Sequence, residues 1–156
     1  MEKVYCSSQC VSIGFPTEGA FPAFWFPRLE VFMNKRIFVV DDNAIIRGLV
    51  REFIEARPGF EICGEATDGL EGIEKSRELR PDLIILDFLM PRINGLQAAL
   101  MLQHFVPNTP IILFTFYKEE IPRDLAQAAG VASILSKADQ LATLADEVQR
   151  LTGCPN

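Results

Sequence analysis

From about residue 33 onward, the chain alternates between two patterns of apolar and polar positions. Short, almost continuous apolar runs are typical of strands that are buried on both faces of a sheet. Apolar residues that recur every three or four positions are typical of amphipathic helices. The apolar runs predict five strands, over residues 36–41, 60–65, 82–87, 110–115 and 132–136.

A helix is predicted after each strand. The helical patterns cover about residues 45–54, 68–80, 94–105, 121–130 and 141–151. Asp68 followed by Glu71 is the pattern of a capping box at the start of the second helix. Ile121 and Leu125 belong to the apolar positions of the fourth helix, which Gly130 ends. Five successive strand–helix units predict an α/β fold with one parallel sheet, right-handed crossovers and helices on both faces.

Residues 1–32 follow neither pattern. Three prolines interrupt a stretch rich in aromatic residues, and no basic segment leads into an apolar core, so a secretory signal is not expected. The segment is either an arm that docks a partner or an unstructured extension, which is spurious if translation starts at Met33; we favour the extension. We therefore expect one domain over residues 33–152 and a short tail over residues 153–156.

The composition is typical of a globular protein and narrows the classes of function. Hydrophobic residues make up 49% of the 156 residues and charged residues 23%. The formal net charge of -6 disfavours a DNA-binding surface, which is normally basic. The four cysteines fit neither a zinc-binding spacing nor a disulfide framework. No apolar run reaches the ~20 residues that span a bilayer, and we expect a cytoplasmic protein.

Polar residues follow four of the five predicted strands. They are Asp41 and Asp42 after the first strand, Asp87 after the third, Thr115 after the fourth and Lys137 after the fifth. Ligands of open parallel sheets bind at the carboxyl ends of the strands, so we expect these side chains to meet in one crevice. Taken singly, each is more often a helix cap, a turn residue or a solvated side chain. Their joint order favours a functional site.

The chemistry of this set points to a divalent cation and a phosphoryl group. Three carboxylates brought together repel one another, and a hard cation relieves that repulsion. Mg²⁺ fits, since it binds a few carboxylate oxygens, keeps several waters and accepts a phosphate oxygen. Asp87 is the candidate nucleophile, whose attack on phosphorus forms an acyl phosphate. Lys137 would offset the phosphoryl charge, and Thr115 would donate a hydrogen bond to a phosphoryl oxygen.

Four motifs resemble the receiver domain of response regulators in bacterial two-component signalling. They are Val39-Val40-Asp41-Asp42-Asn43, Asp87-Phe88-Leu89-Met90-Pro91 with Gly95, Thr115, and Ser136-Lys137. The resemblance covers about residues 33–151. Two further segments are similar to receivers of the nitrate-response type, namely Glu65-Ala66-Thr67-Asp68-Gly69 and Arg80-Pro81-Asp82-Leu83. The resemblance implies a single flavodoxin-like (βα)5 domain with a doubly wound parallel sheet.

The resemblance also implies a role for each residue of the site. Asp87 would accept a phosphoryl group from a sensor histidine kinase or a histidine phosphotransfer protein. Asp42 and Asp87 would bind Mg²⁺ directly, with the Leu89 carbonyl oxygen as a further ligand, while Asp41 would act mainly through water. The Phe116 backbone N–H would be another donor to the phosphoryl group.

Three positions near the site depart from the family's pattern. One is Ala138, which stands where a proline commonly follows the lysine. Ile134 stands where the family usually has an aromatic residue whose rotation reports phosphorylation, so the way in which the switch works is left open. Phe116 stands where small residues are common. Together with Leu89 and Tyr117, its ring predicts restricted access to the site and slow autodephosphorylation.

The main hypothesis is a stand-alone receiver that switches protein–protein interactions in a phosphorelay, with no activity beyond its own phosphorylation and dephosphorylation. Its partners would be the kinase or phosphotransfer protein and an unidentified downstream protein, without DNA or membrane; a phosphorylation-dependent dimer is left open. The alternative is the receiver half of a transcription regulator that lacks its DNA-binding domain. A magnesium-dependent aspartyl phosphatase is disfavoured, because such enzymes need a second acid where this chain has Leu89.

Overall fold

A computed structural model describes residues 34–153 of the chain, and its strands agree with the apolar runs. Within these residues there are five strands, β1 (Lys35–Val40), β2 (Phe60–Ala66), β3 (Leu83–Leu86), β4 (Ile111–Thr115) and β5 (Val131–Ser136). All pair in parallel, in the order β2-β1-β3-β4-β5. The predicted strands are therefore confirmed, with ends that shift by a residue.

Helices connect the strands and follow the last one. They are α1 (Ala44–Glu55), α2 (Gly69–Leu79), α3 (Gly95–Phe105), α4 (Arg123–Ala128) and α5 (Leu141–Thr152). In the described part of the chain, no helix is long and apolar enough to cross a membrane. The predictions about residues 1–32 and about residues 154–156 lie outside the described residues.

The core is divided by the sheet into two apolar layers. Phe38 and Val40 of β1 pack on one face with residues of α2, α3 and α4. Ile37 and Val39 point to the other face, where α1 and α5 cover them. Successive residues of a strand point to opposite faces, so a strand covered by helices on both sides must be apolar throughout. The result is the predicted doubly wound, flavodoxin-like arrangement, which places the carboxyl ends of the strands at one open edge.

Asparagine side chains begin two of the helices that lie next to this edge. The Asn43 side chain accepts hydrogen bonds from the backbone N–H of Ile45 and Ile46 at the start of α1, at 2.9 and 3.4 Å. Asn94 and Gln97 form a complete capping box at the start of α3, since each side chain accepts from the other's backbone N–H. These caps satisfy donors that a helix leaves free at its first turn.

The capping box predicted at α2 is only half present. Asp68 caps the helix by accepting from the N–H groups of Leu70 and Glu71. The Glu71 carboxylate, however, accepts from the backbone N–H and the hydroxyl of Thr67, at 2.7 and 2.8 Å, instead of from Asp68. The prediction was therefore right about the cap and wrong about the reciprocal partner.

The fourth helix is shorter than the sequence pattern predicts. Residues 118–120 form a 3₁₀ turn, and Ile121 is extended, with φ -92° and ψ 113°. Pro122 explains the break, because a residue that precedes proline avoids the helical conformation. Leu125 is 54% exposed, whereas Ala126 and Ala129 are buried, so the predicted apolar stripe is wrong at Leu125.

Candidate functional site

The sheet brings the three acidic residues together. Asp41 directly follows β1 and Asp87 directly follows β3, and these two strands are neighbours. One carboxylate oxygen from each of Asp41, Asp42 and Asp87 lies within 4.8 Å of the other two. Asp41 and Asp87 are buried, and Asp42 is exposed. The edge of the sheet therefore carries a compact pocket of three carboxylates.

A buried lysine links two of these carboxylates. The Lys137 Nζ lies 2.6 Å from Asp41 Oδ2 and 2.9 Å from Asp87 Oδ2. Only 4% of the Lys137 side chain is exposed, although the residue follows an edge strand. Removing charges from water is costly unless they are paired, so the two ion pairs compensate for the burial of all three groups.

Burial raises the pKa of the Asp87 carboxyl above its usual range, and the nearby Asp41 charge acts in the same direction. The hydrogen bond and the positive charge of Lys137 oppose this increase without cancelling it. The Phe88 backbone N–H also donates to Asp87 Oδ1, at 2.7 Å. The surroundings of Asp87 therefore favour the protonated form of its carboxyl group.

Thr115 and Lys137 are joined through their backbones at the ends of β4 and β5. The Lys137 N–H donates to the Thr115 carbonyl oxygen at 2.9 Å, which continues the pairing of Thr115 with Ser136. The Thr115 side chain is buried, and its Oγ1 accepts from the Tyr117 N–H at 3.2 Å. The predicted hydroxyl and the predicted lysine thus lie at the carboxyl ends of two adjacent strands.

Aromatic and aliphatic side chains surround this edge on the exposed side. Phe116, Leu89 and Tyr117 are 60%, 47% and 41% exposed. The Phe116 ring centre lies 5.6 Å from the Lys137 Nζ, within the range of a cation–π contact. Leu89 lies two residues after Asp87, in the loop between β3 and α3. Of these three side chains, Phe116 has a direct contact with a member of the pocket.

The loop that follows Asp87 passes very close to the start of α3. The Gly95 N–H donates to the Phe88 carbonyl oxygen at 2.7 Å. A Cβ atom at Gly95 would lie 2.3 Å from the Asp87 carbonyl oxygen and 2.8 Å from Phe88 Cα. Only a residue without a side chain fits this approach, so Gly95 has a steric role in shaping the site.

Arg92, in the same loop, has a left-handed backbone with φ 72°, a conformation that is uncommon for residues other than glycine. Its guanidinium group pairs with the carboxylate of Asp68, the residue that caps α2. The contact ties the loop after Asp87 to the neighbouring helix. The sequence motifs did not identify either residue as part of this link.

Sequence reasoning also missed Arg47, which reaches the pocket from α1. Its Nη1 donates to the Asp41 carbonyl oxygen at 2.7 Å, and its Nε donates to Glu65 Oε2 at 2.9 Å. The available signal was its position one turn into the helix that follows Asp41 and Asp42. A basic residue at an exposed-looking helical position is common, however, and the pattern alone did not distinguish it.

Ile134 lies on β5 and is half-buried. It pairs in register with Leu113 of β4 and packs against the apolar layer that includes α4. An aliphatic side chain therefore occupies the position at which receivers usually carry an aromatic residue. The structure contains a packed contact there in place of an aromatic ring.

The donor set of the pocket fits Mg²⁺. It consists of carboxylate oxygens, which hard divalent cations prefer, and the three groups are close enough to share one ion. Both Asp41 oxygens already have partners, since Oδ1 accepts from the Asn43 N–H at 2.9 Å and Oδ2 pairs with Lys137. No donor within residues 34–153 contacts the Asp42 carboxylate, which leaves it available to a cation.

A family model for the response regulator receiver domain matches residues 37–149. The chain belongs to this family. The receiver is 32% identical over 120 residues to the chemotaxis protein CheY of Thermotoga maritima, an alignment that covers 77% of this chain and 99% of CheY. It is also 32% identical over 114 residues to the transcriptional regulatory protein LiaR of Bacillus subtilis. That alignment covers 73% of this chain and 54% of LiaR, so the chain spans about half the length of that relative.

Solved structures agree with this assignment. The response regulator domain of Thermotoga maritima CheB matches with a TM-score of 0.71 and 27% identity, over 79% of this chain and 99% of the CheB domain. The predicted family and the predicted fold are both confirmed. A receiver with an acidic pocket at the carboxyl edge of its sheet belongs to two-component signalling.

Proposed function

We propose that this receiver accepts a phosphoryl group on Asp87 from the phosphohistidine of a sensor histidine kinase or a histidine phosphotransfer protein. The observation that carries the proposal is the pairing of the buried Asp87 carboxylate with Lys137 at 2.9 Å, beside two further carboxylates. A nucleophile, a positive charge and a set of cation ligands occur together there. This is the minimum that phosphoryl transfer to a carboxylate needs.

In the proposed step, a carboxylate oxygen of Asp87 attacks the phosphorus atom. The bond from phosphorus to the donor's imidazole nitrogen breaks, and its electron pair stays on that nitrogen. Lys137 offsets the charge of the phosphoryl oxygens, while the Thr115 hydroxyl and the Phe116 backbone N–H donate hydrogen bonds to them. The hydrogen bond from the Lys137 N–H to the Thr115 carbonyl oxygen holds these two residues side by side.

Asp42, Asp87 and the Leu89 carbonyl oxygen are the proposed Mg²⁺ ligands, and the ion would supply positive charge for phosphoryl transfer. We propose that Asp41 acts through water. Its two oxygens already accept from Asn43 and pair with Lys137, which supports an indirect role. Asp42 is exposed and has no such partner in the described residues, which supports a direct one.

The output we propose is a change in binding to a downstream protein in the cytoplasm. Phosphorylation shifts a conformational equilibrium only as far as it stabilises one state more than the other. The receiver itself would catalyse nothing beyond its own phosphorylation and dephosphorylation. The longer relative LiaR is named as a transcriptional regulator, and a gel shift of DNA by the purified chain would favour that alternative output.

The test is phosphorylation of the purified chain with Mg²⁺ and a small-molecule phosphodonor, read by intact mass. Beryllofluoride, which mimics the phosphoryl group, provides a second readout by NMR. We expect a phosphoryl-sized mass gain that disappears in Asp87→Ala and with EDTA. Asp124→Ala, which removes an exposed aspartate from the first turn of α4, is the matched control and should be phosphorylated normally. No response to either reagent in the folded wild-type protein would refute the proposal.

A further inference from the structure

Arg47 connects the loop of the acidic pocket to the rest of the fold. It lies in the first turn of α1 and donates at once to the Asp41 carbonyl oxygen and to the Glu65 carboxylate, at 2.7 and 2.9 Å. Its side chain is only 13% exposed. A guanidinium group has several donors in a rigid planar fork, which allows one side chain to hold two acceptors in a fixed relation.

The acceptor on the pocket side is a peptide carbonyl with a particular position. The Asp41 carbonyl belongs to the peptide group that joins Asp41 to Asp42. Because a peptide group is planar, a hydrogen bond that fixes its oxygen also fixes the direction of the Asp42 N–H and the placement of the Asp42 Cα. No contact within the described residues holds the Asp42 carboxylate itself. The backbone therefore sets the Cα position from which this carboxylate extends, and the side-chain rotamer places one of its oxygens within 4.8 Å of carboxylate oxygens of Asp41 and Asp87.

The acceptor on the other side is well anchored. Glu65 lies on β2, where it pairs in register with Val39 of β1. Its carbonyl oxygen accepts from Lys75 Nζ at 2.8 Å, and its second carboxylate oxygen accepts from Arg51 Nε at 2.8 Å. Arg47 thus links Glu65, which is held in place on the sheet, to the peptide group between Asp41 and Asp42.

We propose that Arg47 is a positioning residue of the metal site: it orients the Asp41–Asp42 peptide so that the Asp42 carboxylate faces Asp87 before the cation binds. The inference rests on the proposed function, since it concerns the same pocket. It adds a residue outside the acidic cluster that tunes the affinity for Mg²⁺. Groups that orient metal ligands typically change metal affinity by about 10–100-fold when they are removed.

Arg51 provides a matched control within the same network. It is also on α1 and pairs with the same Glu65 carboxylate, with Nη2 at 2.7 Å, but its other partner is Glu55. A substitution of Arg51 therefore disturbs the ion pairs on Glu65 and leaves the bond to the Asp41 carbonyl in place. If substitution of Arg47 changes the Mg²⁺ affinity and substitution of Arg51 does not, we attribute the change to the hydrogen bond with the Asp41 carbonyl oxygen.

The experiment measures the Kd for Mg²⁺ by isothermal titration calorimetry for the wild type, Arg47→Lys, Arg47→Met and Arg51→Met. The rate of phosphorylation by a small-molecule donor is measured over a range of Mg²⁺ concentrations. We expect both Arg47 variants to raise the Kd by about tenfold, because methionine has no donor and lysine carries its donors on one nitrogen of a flexible chain instead of on separate nitrogens of a rigid planar fork. At saturating Mg²⁺ their rates should return to the wild-type rate, while Arg51→Met should keep the wild-type Kd.

Urea unfolding without Mg²⁺ separates positioning from a general loss of structure. Arg47→Lys keeps the charge and most of the volume, so it remains informative if Arg47→Met unfolds. Equal Kd values for wild type and folded Arg47→Lys would overturn the inference, and so would an equal increase in Arg51→Met. If the folded wild type neither binds Mg²⁺ nor accepts a phosphoryl group, the proposed function fails instead.

Discussion

The ammonium nitrogen of Lys137 lies 5.6 Å from the centre of the Phe116 ring. The same nitrogen pairs with Asp41 and Asp87, so one buried charge connects the acidic pocket to a ring that is 60% exposed. A cation–π contact of an exposed ring is worth about 0.5–1 kcal/mol. Phe116 therefore contacts the pocket from its solvent side.

Phe116→Ala should shorten the lifetime of the aspartyl phosphate. Removal of the ring opens the approach of water and frees the ammonium from its aromatic contact, and we expect autodephosphorylation to be about two- to fivefold faster, as the energy of that contact suggests. The loss of phosphoryl group is followed by intact mass after removal of the donor. Leu125→Ala, a deletion at an exposed position of α4, is the control. A lifetime that is unchanged or longer in Phe116→Ala would contradict the prediction.

Lys137→Met should lower the free energy of unfolding by about 3–5 kcal/mol at pH 7 without Mg²⁺, because it leaves two buried carboxylates unpaired. The pKa of Asp87 is already raised by burial, and loss of the lysine removes the group that opposes the increase. A raised pKa favours the protonated folded state, so the deficit should shrink as the pH falls through the pKa of Asp87. Urea unfolding of both proteins at several pH values measures this difference in the free energy of unfolding.

Lys75→Met is the comparison for this effect. Lys75 pairs with the Glu71 carboxylate and donates to the Glu65 carbonyl oxygen, but its side chain is 44% exposed. Exposed pairs contribute at most about 1 kcal/mol. If Lys137→Met lowered the free energy of unfolding no more than Lys75→Met does, the two ion pairs of Lys137 would not stabilise the pocket as described.

Gly95→Ala and Gly48→Ala should have opposite effects, although the chemical change is the same. The new Cβ at Gly95 would overlap the backbone of Asp87 and Phe88, which should lower the free energy of unfolding by about 1–3 kcal/mol and slow phosphorylation. At Gly48, within α1, no heavy atom lies within 4 Å of the new Cβ. There alanine should raise the stability by about 0.5–1 kcal/mol. Urea unfolding measures both, and a loss of stability in Gly48→Ala would contradict this account.

Glu71 should make stability depend on pH in the acidic range. A hydrogen bond from Lys75, with others from Thr67, lowers the pKa of Glu71 to about 2. A lowered pKa gives stability that is complete above the unfolded value, near 4.5, and is lost as the pH falls towards 2. Glu71→Gln should thus cost about 1 kcal/mol at pH 7, since the group is partly exposed, and progressively less below pH 4.5. Glu74→Gln, a change at an exposed position of the same helix that leaves the hydrogen bonds of Glu71 in place, is the control.

The strands and the acidic pocket were predictable because each depends on a local pattern. A strand buried on both faces needs an unbroken apolar run, and residues that follow parallel strands must meet at one edge. Pro122 was also visible in the sequence, yet the apolar spacing around it suggested a longer helix. The rule that the residue before proline avoids the helical conformation decides the structure there.

The missed features depend on contacts between distant parts of the chain. Ile45 and Leu49 fit the apolar stripe of α1 but are 74% and 45% exposed, because the sheet covers only part of that stripe. The bond from Arg47 to the Asp41 carbonyl depends on the reach and direction of a long side chain. Neither can be read from hydrophobic spacing, which describes the faces of an element and not what lies opposite them.

The interior position of β1 affects how the chain folds during synthesis. Of the described strands, β1 leaves the ribosome first, but its neighbour β3 follows only after α1, β2 and α2. Until then, side chains such as Phe38 and Val40, which are completely buried in the finished domain, lack their cover, and one edge of β1 has no partner. Parallel pairing across such distances is slow. We therefore expect the nascent chain, before β3 has been synthesised, to be the form most prone to aggregation and most dependent on chaperones.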